Sequence, residues 1–469
     1  MKDKVKKIHF IGIGGSGMGG IAEVMFNLGF EVSGSDLNPS QTVKHLKSMG
    51  LKISGKHQIS NVKGVDVVVV SGAIPKNNVE IKAAQKMGIP IIPRAEMLSE
   101  LMRFKKGIAV AGTHGKTSTT SMLASILSAG GMDPTYVIGG RLNSTKANAK
   151  LGMGDLFVVE ADESDASFLH LNPINTIVTN IDRDHMETYQ GDFDRLKKTF
   201  LDFIHQTPFY GHVFLCLDDP NIKTILPFIS RKIVTYGLHR NALIQAKKIS
   251  HLGNKMTFEV IDKFYKSKTF KVTINLPGVH YVRNALAAIA LGLEYGVSVD
   301  DIKKGLHGFQ GVARRYDVYP DITLFKKKIL LVDDYGHHPT EIDAVLEATK
   351  KGYPGKKINL VFQPHRFSRT RDSYDDFIKV LKRPDKLFLF DIYSAGESEI
   401  EGISTKHIIN KLKNKKTFYL PDMRAAKKII GDEIDDQSIL IIMGAGSVDR
   451  KSTRLNSSHS QQSRMPSSA

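Results

Sequence analysis

Cysteine is almost absent from this chain of 469 residues: Cys216 stands alone. No internal disulfide can form, and a reducing compartment is the expected setting. No uninterrupted apolar run approaches the roughly 20 residues that a membrane-crossing helix needs. The first ten residues alternate lysine with apolar side chains and enter a glycine turn within a few positions, which reads as a strand and not as a signal peptide. Also missing is the interleaving of basic and aromatic residues that makes a nucleic-acid stacking platform. The formal charge of +18, from 66 basic and 48 acidic residues, therefore reads as a solvated lysine surface that favours polyphosphate ligands, with no nucleic-acid partner. Length and ordinary composition predict about three domains, each with its own core.

What the chain does have is glycine turns set after apolar strands. An apolar run ending at Ala111 enters Gly112-Thr113-His114-Gly115-Lys116-Thr117-Ser118. Backbone N–H groups of such a loop and of the helix behind it wrap nucleotide phosphates. Lys116 adds a point charge, and the Thr117 hydroxyl can ligate Mg²⁺. The usual eight-residue pattern starts with glycine where this chain has Val110, so the loop is a shortened form.

Three blocks follow from the alternation of strand-like and helix-like runs. In residues 1–104, strands at 8–13, 31–35, 65–71 and 89–92 and a helix at 19–28 predict a parallel sheet. Gly12, Gly14, Gly15 and Gly17 have dinucleotide-fold spacing, with Ser16 and Met18 in the same turn. Asp36, after the second strand, is placed to meet a ribose or base. That spacing says nucleotide without saying which.

The second block, 105–317, begins with the phosphate loop and a helix whose Met122, Leu123, Ile126 and Leu127 face inward. A strand near 156–159 then ends in Glu160, Asp162, Glu163 and Asp165. Another at 176–179 ends in a run carrying His185 and several carboxylates. Acids at neighbouring strand ends beside a phosphate loop point to a Mg-nucleotide site.

The third block, 318–448, has strands near Ile329, Leu360, Leu387, Phe418 and Ile441, with helices at 341–348 and 374–381. Its polar residues gather just after the first three strands, the edge where open α/β sheets bind ligands. Residues 449–469 carry seven serines and almost nothing apolar, so they cannot pack. The expectation is a disordered, foreign tail that replaces the last covering helix.

Taken together, the glycine turn, the shortened phosphate loop, Glu160-Ala161-Asp162-Glu163-Ser164-Asp165, Asn180-Ile181-Asp182-Arg183-Asp184-His185-Met186 and Asp333-Asp334-Tyr335-Gly336-His337-His338-Pro339 resemble the Mur ligases of peptidoglycan synthesis over about residues 7 to 448. The resemblance implies an α/β, three-domain architecture. An N-terminal Rossmann-like domain binds the UDP-sugar, a central P-loop domain binds ATP, and a C-terminal Rossmann-like domain binds the incoming amino acid. It implies a bacterial cytoplasmic enzyme, a monomer or weak homodimer, with hinges near 104 and 318.

The implied reaction is phosphorylation of the lactyl carboxylate of UDP-N-acetylmuramate by ATP, followed by attack of the L-alanine amine on the acyl phosphate. By the same resemblance Lys116 holds the β and γ phosphates. Thr117 and Glu160 serve one Mg²⁺, and His185 serves a second metal. Asn284 lies on the adenine side, in a helix start that more usually has asparagine where this chain has Tyr281. Arg314 and Arg315 reach the phosphates and Asp334 the ATP ribose. His365, Arg366 and Arg369 meet the alanine carboxylate and the acyl phosphate, as suits arginine forks. Gly14, Gly15, Ser16, Gly17, Met18, Asp36 and Ser71 then belong to the UDP moiety.

Two rivals remain. One is the recycling ligase that adds L-alanyl-γ-D-glutamyl-meso-diaminopimelate to the same UDP-sugar. The other is a silent UDP-sugar sensor, which the intact Lys116, Glu160 and His185 argue against. From sequence, Lys116→Ala is expected to abolish most turnover without changing thermal unfolding.

Overall fold

The computed structural model describes residues 1, 4–140, 143, 148–413 and 416–445. Gly446 onward, where the foreign tail and the end of the third block were expected, lies outside the described residues. The chain forms two compact units. One comprises residues 1–248, 258–272 and 283–312; the other comprises 249–257, 273–282 and the chain from 313 on.

The first sheet holds β1 (Lys7–Ile11), β2 (Glu31–Ser35), β3 (Lys52–Ser54), β4 (Val67–Val70) and β5 (Ile91–Pro93). Their order is β3-β2-β1-β4-β5, and every pairing is parallel. Strand β1 stops at Ile11, short of the expected Ile13. Gly12 takes φ +79°, which turns the chain, and the helix Ser16–Asn27 follows, three residues before the expected start.

The second sheet has ten strands: β6 (Lys106–Ala111), β7 (Thr135–Val137), β8 (Ala149–Lys150), β9 (Leu156–Glu160), β10 (Asn175–Val178), β11 (His212–Cys216), β12 (Lys232–Gly237), β13 (Ile244–Leu252), β14 (Lys255–Asp262) and β15 (Phe270–Ile274). They run β15-β14-β13-β12-β11-β10-β6-β9-β7-β8. Strand β6 therefore lies between β9 and β10, parallel to both, with Val110 opposite Glu160 and Ala111 opposite Val178. The acid-bearing strand ends flank the phosphate loop.

The third sheet contains β16 (Asp317–Leu324), β17 (Lys327–Asp334), β18 (Ile358–Phe362), β19 (Lys386–Phe390), β20 (Thr417–Leu420) and β21 (Ile439–Met443), ordered β16-β17-β21-β18-β19-β20. Residues of β21, Ile-Leu-Ile-Ile-Met, are all buried, as suits a strand covered on both faces. The five expected strands are present. Strand β16, which was not expected, pairs antiparallel with β17 and caps the sheet edge. Among the described residues no helix is long and apolar enough to cross a membrane.

Candidate functional site

The phosphate loop is shaped by two glycines. Gly112 has φ +128°, and a Cβ there would lie 2.0 Å from the Thr179 hydroxyl oxygen. Gly115 has φ +83°, and its Cβ would lie 2.7 Å from Asn284 Oδ1. Both conformations are ones that L side chains rarely adopt. The helix Lys116–Ala129 starts immediately after Gly115 with Thr117 and Ser118 buried, so its first amides open onto the loop. The helix Val279–Glu294 brings Asn284 against Gly115.

The chain leaving β10 buttresses the loop from one side. His114 N–H donates to Asn180 Oδ1 at 2.8 Å, and its carbonyl accepts from the Thr179 hydroxyl at 2.6 Å and Asn180 Nδ2 at 2.9 Å. Asp182 N–H donates to the Thr113 hydroxyl at 2.9 Å, and its carboxylate lies 3.1 Å from His114 Nε2. Sequence reasoning placed carboxylates here but did not separate Asp182, which braces the loop, from His185. The latter sits in left-handed backbone, φ +54°, uncommon for histidine, and its N–H donates to Asp184 Oδ1 at 2.9 Å. Strained backbone of this kind clusters where a side chain must be aimed.

Glu160 ends β9 on the other side of the loop. A Cβ at Gly139 would lie 2.6 Å from Glu160 Oε2, so the missing side chain is what lets the carboxylate come this close. Thr117 and Glu160 offer the oxygen donors Mg²⁺ favours, so this donor set fits the ion; His185 offers nitrogen, a less usual donor for it. Lys116 is buried. Burial opposes its charge, but Glu163, Asp162 and Glu160 more than restore it, holding the ammonium pKa above the ordinary lysine value.

The N-terminal turn is tied down by Asp36. Its Oδ2 accepts from Gly14 N–H and its Oδ1 from Asn38 N–H, each at 2.8 Å. A Cβ at Gly14 would fall 2.7 Å from that carboxylate. Gly15 caps the helix that Ser16 begins, and Ser71 Cβ would be 3.2 Å from a Cβ on Gly12. Met18 is 2% exposed and packs in the core, so its side chain offers no ligand surface. Arg94, which sequence reasoning missed, packs against Gly17 and donates to Asp162 Oδ2 at 3.2 Å, joining the glycine turn to the acidic strand end.

In the other unit, Asp334 ends β17. Its oxygens accept from Gly336 N–H at 2.6 Å and Tyr316 N–H at 2.8 Å, and burial pushes its pKa up to about 6 despite nearby Arg315. The guanidinium of Arg315 lies 3.6 Å from Glu341 and 5.2 Å from the centre of the Tyr335 ring. Arg314 donates to the Gly444 carbonyl at 2.6 Å. Tyr281 is buried with its ring tilted 43° against that of His280, ring centres 4.2 Å apart.

The loops after β17, β18 and β19 meet, as their common edge requires. His365 lies 5.5 Å from His337 and 5.5 Å from Tyr393, ring centre to ring centre. Arg366 adopts φ +71° and lies 3.8 Å from Glu397, while buried Arg369 donates to the His365 carbonyl at 3.3 Å. Two arginines and two histidines here can bind a carboxylate or phosphate.

Known proteins match this chain along nearly its whole length. Residues 7–106 match the model described as Mur ligase family, catalytic domain; 110–292 match the Mur ligase middle domain; 314–446 match the Mur ligase glutamate ligase domain. The UDP-N-acetylmuramate–L-alanine ligase of Hydrogenovibrio crunogenus is 51% identical over 451 residues, covering 96% of this chain and 97% of the relative. That of Neisseria meningitidis serogroup A is 50% identical over 456 residues, with the same coverage of each. Among solved structures, the Thermotoga maritima UDP-N-acetylmuramate-alanine ligase superposes with TM-score 0.81 at 29% identity, covering 98% of this chain and 100% of the other. A murein peptide ligase from Psychrobacter arcticus gives TM-score 0.73 at 26% identity, again covering 98% and 100%. With successive family models spanning nearly the whole chain and half of its residues shared with full-length relatives, this protein belongs to the Mur ligase family.

Proposed function

We propose that this protein joins L-alanine to the lactyl carboxylate of UDP-N-acetylmuramate at the expense of ATP, in the bacterial cytoplasm. The observation that carries the reading is the 51% identity along 96% of the chain to a ligase of that name, with the phosphate loop intact. A carboxylate is a poor electrophile, so its oxygen first takes the γ-phosphoryl group and ADP leaves. The amine nitrogen, after losing its proton, then bonds to the acyl carbon and phosphate departs. Such a reaction asks the protein chiefly to position groups and neutralise charge.

Lys116 and the loop amides hold the β and γ phosphates, and Asn284 lies on the adenine side. Thr117 and Glu160, with His185 for a second ion, would hold Mg²⁺, which supplies charge neutralisation at the phosphates. Arg315 and Asp334 serve the nucleotide, and His365, Arg366 and Arg369 serve the amino acid and acyl phosphate. Gly14, Gly15, Ser16, Gly17, Asp36 and Ser71 form the UDP cradle.

The test is phosphate release with Mg-ATP and UDP-N-acetylmuramate, supplying either L-alanine or L-alanyl-γ-D-glutamyl-meso-diaminopimelate, with the product weighed by mass spectrometry. Release that depends on L-alanine is expected. Release with the tripeptide alone would assign the recycling reaction instead. Asp36→Ala is expected to raise KM for the UDP-sugar with little change in kcat, because it loosens the glycine turn far from the reacting atoms. A selective loss of ATP affinity in that variant would contradict the assignment of the first block.

A further inference from the structure

Glu163 has no part in the chemistry above, yet it is buried against the most important cation of the loop. Lys116 Nζ lies 2.7 Å from Glu163 Oε2 and 2.9 Å from Oε1, and 2.7 and 3.2 Å from the carbonyls of Gly112 and Thr113. An ammonium has three protons, and four oxygens already share them. A phosphate oxygen can reach Lys116 only if one of these contacts is given up.

The two carbonyls are fixed parts of the loop: Gly112 is locked against Thr179, and Thr113 is bonded to the segment after β10. They are also neutral. The carboxylate is the partner an incoming phosphate repels, and it is the one on a movable side chain. Its backbone is anchored: the Glu163 carbonyl accepts from the Tyr189 hydroxyl and from Ala166 N–H, and the Ser164 carbonyl from the Thr188 hydroxyl at 2.6 Å. Release is therefore a rotation of the Glu163 side chain, with the segment it shares with Glu160 held in place.

Resting on the nucleotide-site reading given above, we propose that Glu163 is a latch on the phosphate loop: it occupies Lys116 when no nucleotide is bound, is displaced by the phosphates, and re-forms the pair as ADP leaves. Glu163 is thus a positioning residue that sets nucleotide affinity and exit through Lys116. Breaking a buried ion pair opposes binding, so weakening the pair strengthens binding.

The experiment is calorimetric titration of the full chain with Mg-ADP, with thermal unfolding of each variant measured alongside. Glu163→Gln keeps the shape and removes the charge, and is expected to bind ADP about tenfold more tightly, as for loss of a charge-assisted competitor. Glu163→Asp is one methylene short of the two-oxygen contact, and its affinity is expected between native and Gln values. It decides the matter if the Gln variant does not fold. Slower ADP release in stopped-flow with a fluorescent ADP should accompany the tighter binding. A merely structural Glu163 would weaken nucleotide binding when replaced; unchanged or weaker affinity in the folded variants overturns the latch. Lys116→Ala in the same titration tests the underlying reading separately. Native ADP affinity there removes the phosphate loop and the latch together. Lost affinity there, with unaltered Glu163 variants, removes the latch alone.

Discussion

Lys116→Ala should lower turnover by at least two to three powers of ten, the scale on which a preorganised contact to transition-state charge acts. The loop amides and the Thr117 hydroxyl remain in that variant, so phosphates still have a cradle, but the charge that Glu163, Asp162 and Glu160 sustain on Lys116 is gone. Stability is expected to fall too, and here the geometry corrects the sequence-based expectation of unchanged unfolding. Removing the ammonium leaves the Glu163 carboxylate buried without its cation, a defect that costs on the order of 3–5 kcal/mol when nothing relaxes. The double variant Lys116→Ala, Glu163→Gln should recover much of the unfolding temperature and none of the turnover. Phosphate-release kinetics and thermal unfolding of the single and double variants check both halves. Near-native turnover in a folded Lys116→Ala protein would take the loop out of the mechanism, and unfolding like that of the native chain would mean that Glu163 finds another partner.

The phosphate loop and the glycine turn were legible because they depend on backbone conformations that few residues other than glycine adopt. Gly12, Gly112 and Gly115 all have positive φ, and a side chain on Gly14 would strike Asp36. Strand ends were legible for a similar local reason: apolar runs such as that ending at Glu160 stop where charge begins. What could not be read locally is which neighbour each polar group chooses. Four acids follow one another closely in 160–165, and only the placing of β6 between β9 and β10 decides that Glu163 takes Lys116 while Asp162 takes Arg94. The roles of Asn180 and Asp182 as braces, and of β16 as an antiparallel edge, rest on the same long-range pairings. Met18 was misjudged because a turn motif marks the backbone, whereas helical phase points that side chain into the core.

A second large effect is expected away from the phosphate loop's own residues, at Glu80. Asn78 caps the helix Val79–Lys86, which places Glu80 in its first turn, where the helix dipole favours an anion. The carboxylate is fully buried and accepts from the Ser35 hydroxyl at 2.6 Å, Asn61 Nδ2 at 2.5 Å and Gln58 N–H at 3.3 Å, with His57 Nδ1 at 2.9 Å and His9 Nε2 at 3.7 Å. Burial alone would raise its pKa, but the hydrogen bonds outweigh it and draw the value down from 4.5 to about 2. A depressed carboxylate stabilises the fold fully above pH 4.5 and loses that contribution as pH falls through about 2. The shift corresponds to something on the order of 3 kcal/mol. Glu80→Ala strips five polar groups of a shared partner and is expected to cost about 3–5 kcal/mol. Glu80→Gln should cost less and should unfold with a shallower dependence on pH between 4.5 and 2. The damage is expected to reach the glycine turn, because the Ser35 carbonyl accepts from Gly12 N–H at 2.8 Å and the next residue, Asp36, holds Gly14. KM for the UDP-sugar should therefore rise in Glu80→Gln with kcat nearly unchanged. Urea unfolding across that pH range, compared between native and Gln chains, measures the linkage; parallel curves would show that Glu80 keeps an ordinary pKa in the folded protein.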